Sequence, residues 1–410
     1  LDNDIGSKSR MFRLLQGDVG SGKTILALIA AANVIESGYQ VALMAPTEIL
    51  ATQHYELAKK LFFSTNTKIE LLTSKTTIQD KKKIIHELKN GNLNFLIGTH
   101  SLFQKKVKFF KLGFIVIDEQ HKFGVRQRIL LAKKGGKNCD LLSMSATPIP
   151  RTMMLSSFGD MDVSLLKEKP KNRKNVITLI KPEDKIPELW PLIKKQISLN
   201  RQIFWVCPLI DESKKLNFSS VIKKYNLIKK IFPNQVGLMH GNIDKVEKNI
   251  ILKKFLQKKI KILVSTTVIE VGINFPDANV MVIENSNKFG LSQLHQLRGR
   301  VGRGEDESYC VMLYKNNLSE NAKKRLKILR KTNDGFLVAE EDLNIRGHGD
   351  LLGFQQSGIK DFKFADPIHH KDLFFIAEKE IKNTKIENIK KYEDLLKLYD
   401  RAEVINEISS

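Results

Sequence analysis

The chain has 410 residues, enough for two or three domains that each bury a core, and 42% hydrophobic against 28% charged residues is the balance of a globular protein. The longest apolar stretch, Ile25 to Ile35, holds Asn33 and is too short to span a bilayer, and the amino-terminal LDNDIGSKSR has no signal-peptide pattern. The net charge of +23 points to a polyanionic partner, most simply nucleic acid, although the wealth of Lys, Ile and Asn typical of AT-rich coding would raise the lysine count with no function attached. Cys139, Cys207 and Cys310 are far apart with no CxxC pair, so they read as reduced core thiols of a cytosolic protein rather than as a disulfide framework or a metal site.

In chain order, the first predicted strand, MFRLL (11–15), leads into GDVGSGKT (17–24) and the apolar helical pattern ILALIAAANVIE. That is the context a G-x4-G-K-T phosphate loop needs. The glycines let backbone N–H groups wrap phosphate oxygens, and the helix N-terminus adds the positive end of its dipole. Gly17, Asp18, Val19, Gly20, Ser21, Gly22, Lys23 and Thr24 are therefore candidate nucleotide-binding residues, with Lys23 reaching the β- and γ-phosphates and the Thr24 hydroxyl holding Mg2+. Further strands are predicted at VALMA (41–45), FLIGT (95–99), FIVID (114–118) and LLSMS (141–145), with helical patterns such as ILATQHYELAKKLF between them. Strands apolar throughout and joined by helices predict a parallel sheet covered on both faces.

DEQH (118–121) ends the strand FIVI, 95 residues beyond Lys23 (118 − 23). By itself it reads as an exposed acidic turn. Paired with the phosphate loop it supplies the second half of a nucleotide site, Asp118 holding Mg2+ through water and Glu119 orienting and deprotonating the attacking water. KEKPKNRKN (167–175) reads as a linker. A second strand series follows at IFWVCP (203–208), QVGLMH (235–240), KILVST (261–266), NVMVIE (279–284) and SYCVMLY (308–314), again with helices between, so two α/β lobes stand in tandem. QLHQLRGRVGRG (293–304) puts Arg298, Arg300 and Arg303 within six residues with no acid among them. If the lobes face each other, Arg300 and Arg303 point at the γ-phosphate as arginine fingers; a nucleic-acid patch is the alternative, strongest for Arg298. LSENAKKRLKILRK and FLVAEEDLNI, separated by NDGF, predict a helical hairpin, closed by a Gly-rich loop RGHGDLLGFQQSG (346–358) and a Lys-rich helical tail.

In its motifs GDVGSGKT, APTEILATQ (45–53), GTH (98–100), DEQH, SATP (145–148), TTVIEVGIN (266–274) and QLRGRVGR (296–303), the chain resembles the superfamily-two helicases. DEQHKFGVRQR, SATPIPRT, STTVIEVGINFPDANVMVIEN and FGLSQLHQLRGRVGRG carry a closer resemblance to the RecG branch, over nearly all of residues 10–366. The motor of the transcription-repair coupling factor shares HKFGVR-type and HQLRGRVGR segments and is the alternative, as is a non-catalytic DNA-binding remnant; DEQH together with NDGF (333–336) favours RecG. The resemblance implies an α/β fold of two tandem RecA-like parallel-sheet lobes, an ATP-binding lobe at 1–168 and a second at 169–315, followed at 316–410 by a helical hairpin, translocation loop and helical tail. It implies an ATP hydrolase coupled to DNA translocation, a helicase of branched DNA and stalled replication forks in recombination and repair. ATP and Mg2+ are the implied cofactors. Double-stranded and branched DNA are the implied partners, with single-strand DNA-binding protein a further candidate, for a cytoplasmic monomer with no membrane association.

The resemblance also assigns residues. Gln296 joins Glu119, Arg300 and Arg303 as catalytic. Thr47 and Thr99 touch the DNA backbone from the first lobe, and Thr266 and Thr267 from the second. Ser145 and Thr147 couple ATP state to lobe closure, His121 links the ATP and DNA sites, and Arg346 and Gln356 turn closure into a stroke on duplex DNA. Each threonine also reads as a strand-end residue capping the next helix. His348 stands where the family usually has Pro, and loss of the ring-locked φ is expected to loosen that loop. In the family a large region with an oligonucleotide-binding wedge precedes the motor, whereas sixteen residues precede Gly17 here and the first is Leu1. A fragment or an eroded gene product is expected, with weak ATP hydrolysis and duplex contact retained and fork recognition impaired.

Overall fold

The computed structural model describes residues 1–7, 9–119, 133–136, 139–146, 161–168, 174–208, 214–266, 275, 277–302, 304, 306–315, 318–351 and 370–383. After a short helix α1 (Asp2–Ile5), strands β1 (Phe12–Gly17), β2 (Gln40–Met44), β3 (Ile69–Leu72), β4 (Phe95–Gly98), β5 (Leu112–Ile117), β6 (Asp140–Ser145) and β7 (Asp162–Leu166) form one sheet in the order β3-β4-β2-β5-β6-β1-β7. Every pairing in it is parallel. Helices α2 (Lys23–Glu36), α3 (Glu48–Leu61) and α4 (Ile78–Lys89) are the crossovers. Successive side chains of a strand point to opposite faces, and β2 shows the result. Val41 and Leu43 enter a core with Ala27, Leu28, Ala51 and Ala58, while Ala42 and Met44 enter another with Ile84 and Leu88.

The second sheet contains β8 (Ile177–Pro182), β9 (Gln202–Cys207), β10 (Val236–Met239), β11 (Ile262–Thr266), β12 (Ala278–Ile283) and β13 (Tyr309–Tyr314), ordered β10-β11-β9-β12-β13-β8 and again parallel throughout. Around it lie α5 (Trp190–Ser198), α6 (Lys214–Ile231), α7 (Lys245–Leu256) and α8 (Leu291–Arg298). One face is filled by Phe204, Phe255 and Phe275, with ring centroids 5.2–5.3 Å apart; on the other, Trp190 stacks on Trp205 at 5.6 Å. Three strands escape the sequence pattern: β3, β7 and β8. All three are sheet edges. An edge strand has one pairing neighbour and less covered surface, so its apolar run is short: β7 reads Asp-Val-Ser-Leu-Leu with no residue fully buried.

The hairpin consists of α9 (Glu320–Lys331) and α10 (Gly335–Leu351). Ser319 Oγ accepts the Ala322 N–H, and Asp334 Oδ1 accepts the Phe336 N–H at 2.8 Å, so both helices start on side-chain caps. The expected end of the second helix at Ile345 is corrected: α10 continues through Arg346, Gly347, His348, Gly349 and Asp350 to Leu351, where a loop was expected. The physical reason is the residue at 348. A proline there would remove an N–H and clash with the preceding turn; His348 supplies the N–H, and the two glycines weaken the helix by only about 1 kcal/mol each. Both sheets and the hairpin up to Ile345 belong to one compact unit. Helix α11 (Lys371–Asn383) lies outside it. Among the described residues no helix is long and apolar enough to cross a membrane.

Candidate active site

Strand β1 delivers Gly17 to the foot of the phosphate loop and α2 begins at Lys23. Gly20 and Gly22 have φ of 79° and 93°, the left-handed region that glycine enters without steric cost. Gly22 caps α2 with no side-chain hydrogen bond, which leaves the first-turn N–H groups to an anion. Lys23 is buried and its Nζ donates to the carbonyls of Gly17 at 2.7 Å and Asp18 at 2.9 Å, folding the ammonium over the loop. Ser21 Oγ is buried with no hydrogen-bond partner, an orphan that a phosphate oxygen would satisfy. Thr24 follows Lys23 in the first turn, half-buried.

Strand β5 ends beside β2, where the Asp118 N–H donates to Met44 O at 2.9 Å. Both Asp118 oxygens are oriented: Oδ2 lies 2.8 Å from His54 Nε2 and Oδ1 accepts the Glu119 N–H at 3.0 Å. Burial alone would raise the Asp118 carboxyl; the His54 hydrogen bond, the Lys23 charge and the Glu119 N–H outweigh it and hold it below the ordinary aspartate range. Glu119 is the opposite case. Burial and then the Asp118 charge hold it above the ordinary glutamate range, against the Ala146 N–H, Arg300 and Lys23. Two adjacent carboxyls are thus driven apart, one kept as an anion and one poised to take a proton. Glu119 also has φ of 49°, a left-handed conformation whose cost is on the order of 1–3 kcal/mol and which aims its side chain at the Ala146 N–H, 3.3 Å away at the end of β6.

The second lobe meets this site. Arg300 is 7% exposed and its charge acts on Glu119 and Asp118; burial lowers its own affinity for the proton, and those two carboxylates offset only part of that. A Cβ added at Gly299 would lie 3.3 Å from Val19 Cγ2, so the turn after α8 packs on the phosphate loop. His295 Nε2 lies 3.2 Å from Asp18 Oδ1, and Arg298 Nη2 is 3.0 Å from His295 Nδ1. A guanidinium can only donate, so Nδ1 accepts and Nε2 carries the proton given to Asp18. Arg298 itself is 2% exposed and donates to Leu329 O at 2.6 Å, Thr332 O at 2.9 Å and Thr178 Oγ1 at 3.4 Å. The nucleic-acid reading of Arg298 is thereby corrected: its guanidinium is spent on the C-terminal carbonyls of α9. Gly335, of the NDGF turn, packs against the same pair. A Cβ there would collide with Asp18 Oδ1 and stand 2.7 Å from His295 Nε2.

The expected DNA-contacting residues divide. Thr47 and Thr99 line one groove of about 510 Å³ together with Glu48, Thr73, Lys75 and, from α7 of the second lobe, Lys248 and Asn249. Thr47 Oγ1 also accepts the Leu50 N–H at 3.2 Å, so the helix-capping role holds for it as well. Thr266 and Ser145 are buried at the ends of β11 and β6, away from the groove lining, with Ser145 directly before the Ala146 N–H that holds Glu119. Gln296 is half-buried on α8, next to His295. His121, Thr147, Thr267, Arg303 and Gln356 fall outside the described residues, as does the side chain of Arg346. Sequence reasoning missed His54, His295 and Gly335. His54 did leave a signal, a polar residue on the buried stripe Leu50, Ala51, Ala58 of α3.

Hard oxygen donors from Thr24 and the ionised Asp118, close to a lysine-backed phosphate loop, fit Mg2+, which takes one or two carboxylates and draws its other oxygens from phosphate and water. The DEAD/DEAH box helicase family matches residues 5–155 and the helicase conserved C-terminal domain matches residues 184–305. Two parallel-sheet lobes with a phosphate loop and strand-end acids in the first, and a buried arginine of the second whose charge acts on those acids, are the core of the DEAD/DEAH-box helicase class. The C-terminal part of domain 3 of the ATP-dependent DNA helicase RecG matches residues 332–395. The RecG helicase of Thermotoga maritima is 46% identical over 395 residues (96% of this chain and 50% of that protein), and that of Bacillus subtilis 47% identical over 368 residues (89% and 54%). A solved structure of RecG bound to a three-way DNA junction superposes with a TM-score of 0.75 at 44% identity, covering 91% of this chain and 48% of that one. The chain belongs to the RecG family of ATP-dependent DNA helicases, and it spans about half the length of the relatives it matches.

Proposed function

We propose that these 410 residues are the ATP-driven motor of a RecG-type helicase, hydrolysing ATP between the lobes and translocating on duplex and branched DNA in recombination and repair. The observation that carries the reading is Arg300, a buried cation of the second lobe whose charge acts on Glu119 and Asp118 of the first. Backbone N–H groups at the start of α2 and Lys23 grip the triphosphate. Glu119 takes the proton of the attacking water, and its raised proton affinity suits that task. Thr24 and Asp118 would hold Mg2+, which would supply charge neutralisation at the phosphate oxygens. Arg300, with Arg303 and Gln296, stabilises the charge that develops on the transferred phosphoryl group. Because these groups sit on the far lobe, hydrolysis and release of phosphate weaken the hold of one lobe on the other.

The same cycle reaches DNA by two routes. Thr47, Thr99, Lys75 and Lys248 present hydroxyls and ammonium groups from both lobes to one groove, suited to a phosphate backbone and indifferent to sequence. Asp18, His295 and Arg298 join the phosphate loop to the hairpin, through which Arg346 and Gln356 act on the duplex. The groove offers backbone-suited contacts to duplex and, among the described residues, none that would single out a fork. The test is ATP turnover by the 410-residue polypeptide alone, with linear duplex, and with a three-way junction. Duplex is expected to raise turnover, the junction to add little beyond its duplex arms, and Lys23→Ala to abolish it. Turnover equal in wild type and Lys23→Ala would overturn the reading, and an absence of turnover in both would favour a DNA-binding remnant.

A further inference from the structure

Helix α3 touches three things that the motor has to coordinate. Its start lines the groove through Thr47, Glu48 and Ile49. Ile49 also packs against the core cluster of the second lobe, the one that holds Met239, Leu252 and Phe255. Two turns further on, His54 is 5% exposed and its Nε2 is 2.8 Å from Asp118 Oδ2. Neighbours on the His54 face are apolar: Leu50, Ala51 and Ala58 all enter the sheet core. A buried polar group on such a face is costly unless it is bonded, and Asp118 is the partner the structure gives it. Asp118 can only accept in its ionised form, so Nε2 donates. Since Oδ1 is already held by the Glu119 N–H, the bond to Oδ2 fixes the plane of the carboxylate. Each oxygen keeps a second lone pair for another partner.

We propose that His54 is a positioning residue for the Asp118 carboxylate, and that α3 is the rod through which an occupied groove and an adjoining second lobe set the divalent-cation site. The inference rests on the motor reading of the site given above. From Thr47 to His54 is seven residues, about 10 Å of helix at 1.5 Å per residue. Over that length an α-helix moves as a unit, so a shift of its first turn by a phosphate backbone at Thr47 or by the second lobe at Ile49 is delivered to Nε2. The same atom orients the oxygen that Mg2+ requires. Outer partners of metal ligands act in this way: they leave the ligand in place and set its direction, and their loss typically weakens metal binding 10- to 100-fold.

The experiment is a Mg2+ titration of a fluorescent, non-hydrolysable ATP analogue bound to the chain, without turnover, in the absence and presence of linear duplex. In wild type, duplex is expected to lower the Mg2+ concentration at half-saturation. His54→Leu is expected to raise that concentration about 10- to 100-fold and to remove its response to duplex, while duplex affinity stays within a few-fold. His54→Gln, whose amide N–H reaches the same oxygen, is expected to restore most of both, a rescue that a space-filling role would not produce. Should His54→Leu not fold, the wild type carries the test alone. The imidazole NMR signal of His54 then shifts on adding duplex without nucleotide, and shifts again on adding Mg2+ with the analogue. A His54→Leu chain that titrates like wild type with the duplex effect intact, or a His54 signal that duplex leaves unmoved, overturns the inference and leaves the motor reading standing. A wild type that binds no Mg2+-dependent nucleotide overturns both.

Discussion

Replacing Arg298 with Met separates a structural clamp from a DNA contact. The substitution keeps the unbranched stem and removes the guanidinium. It leaves the Leu329 and Thr332 carbonyls and His295 Nδ1 without their donor. At about 1–3 kcal/mol for each buried group left unpaired, three groups give a gross loss of roughly 3–9 kcal/mol. Two effects reduce it. The Thr332 bond is only part-buried, so water replaces the donor there. Removing a desolvated cation with no carboxylate in hydrogen-bond reach relieves a cost of several kcal/mol. A net loss of about 3 kcal/mol, concentrated where α8 meets α9, is expected. Since 1.4 kcal/mol is a factor of ten, amide exchange at the C-terminal end of α9 should speed up on the order of a hundredfold, with exchange in β1 to β6 unchanged. The log–log slope of duplex affinity against salt should stay as in wild type. If α9 exchanges as before and the slope falls by about 0.9, the increment of one phosphate contact, then Arg298 is a DNA ligand and the clamp is wrong.

Gly335→Ala should push Asp18 away from His295 while leaving lobe stability near that of wild type; the measured outcome is ATP turnover that persists with fewer base pairs travelled per ATP, and unchanged travel would contradict the contact. The three thiols should be inert in the folded chain. Burial pushes Cys139 and Cys310 up to about 12 and raises Cys207 well above the ordinary thiol value, so almost no thiolate exists at pH 8; a thiol reagent should label none without denaturant and three with it. Glu119 acts as a base only when deprotonated, and burial with Asp118 raises its proton affinity. Turnover should therefore decline as pH falls through a midpoint above the ordinary glutamate value, and Glu119→Gln should lack this limb and most of the rate; a wild-type profile with no acidic limb, or with its midpoint at or below the ordinary glutamate value, would argue against Glu119 as the base.

Much of this architecture could be read from the chain because its chemistry is local. GDVGSGKT needs only the strand before it and the helix after it, and both lie where the apolar patterns put them. DEQH was placed by the end of β5. Three of the four edge strands were not legible, because β3, β7 and β8 carry few of the buried residues that make a strand recognisable, whereas the edge strand β10, buried at three of its four positions, was. The three arginines show the other limit. Spacing says that Arg298, Arg300 and Arg303 are close, but a helix boundary decides where two of them point. Arg298 is the last residue of α8 and turns inward to α9, while Arg300 follows the Gly299 cap and is buried where its charge acts on the acids of the other lobe. His54, His295 and Gly335 act through partners 64, 277 and hundreds of residues away, contacts that no spacing rule encodes.

The central claim is that one nucleotide is gripped by both lobes, and Arg300 tests it most directly. Duplex-stimulated ATP turnover and equilibrium binding of the non-hydrolysable analogue should be measured for wild type and Arg300→Ala. The account predicts turnover lower by on the order of 10³-fold or more, with analogue affinity within a few-fold of wild type. Turnover within a few-fold of wild type would contradict it.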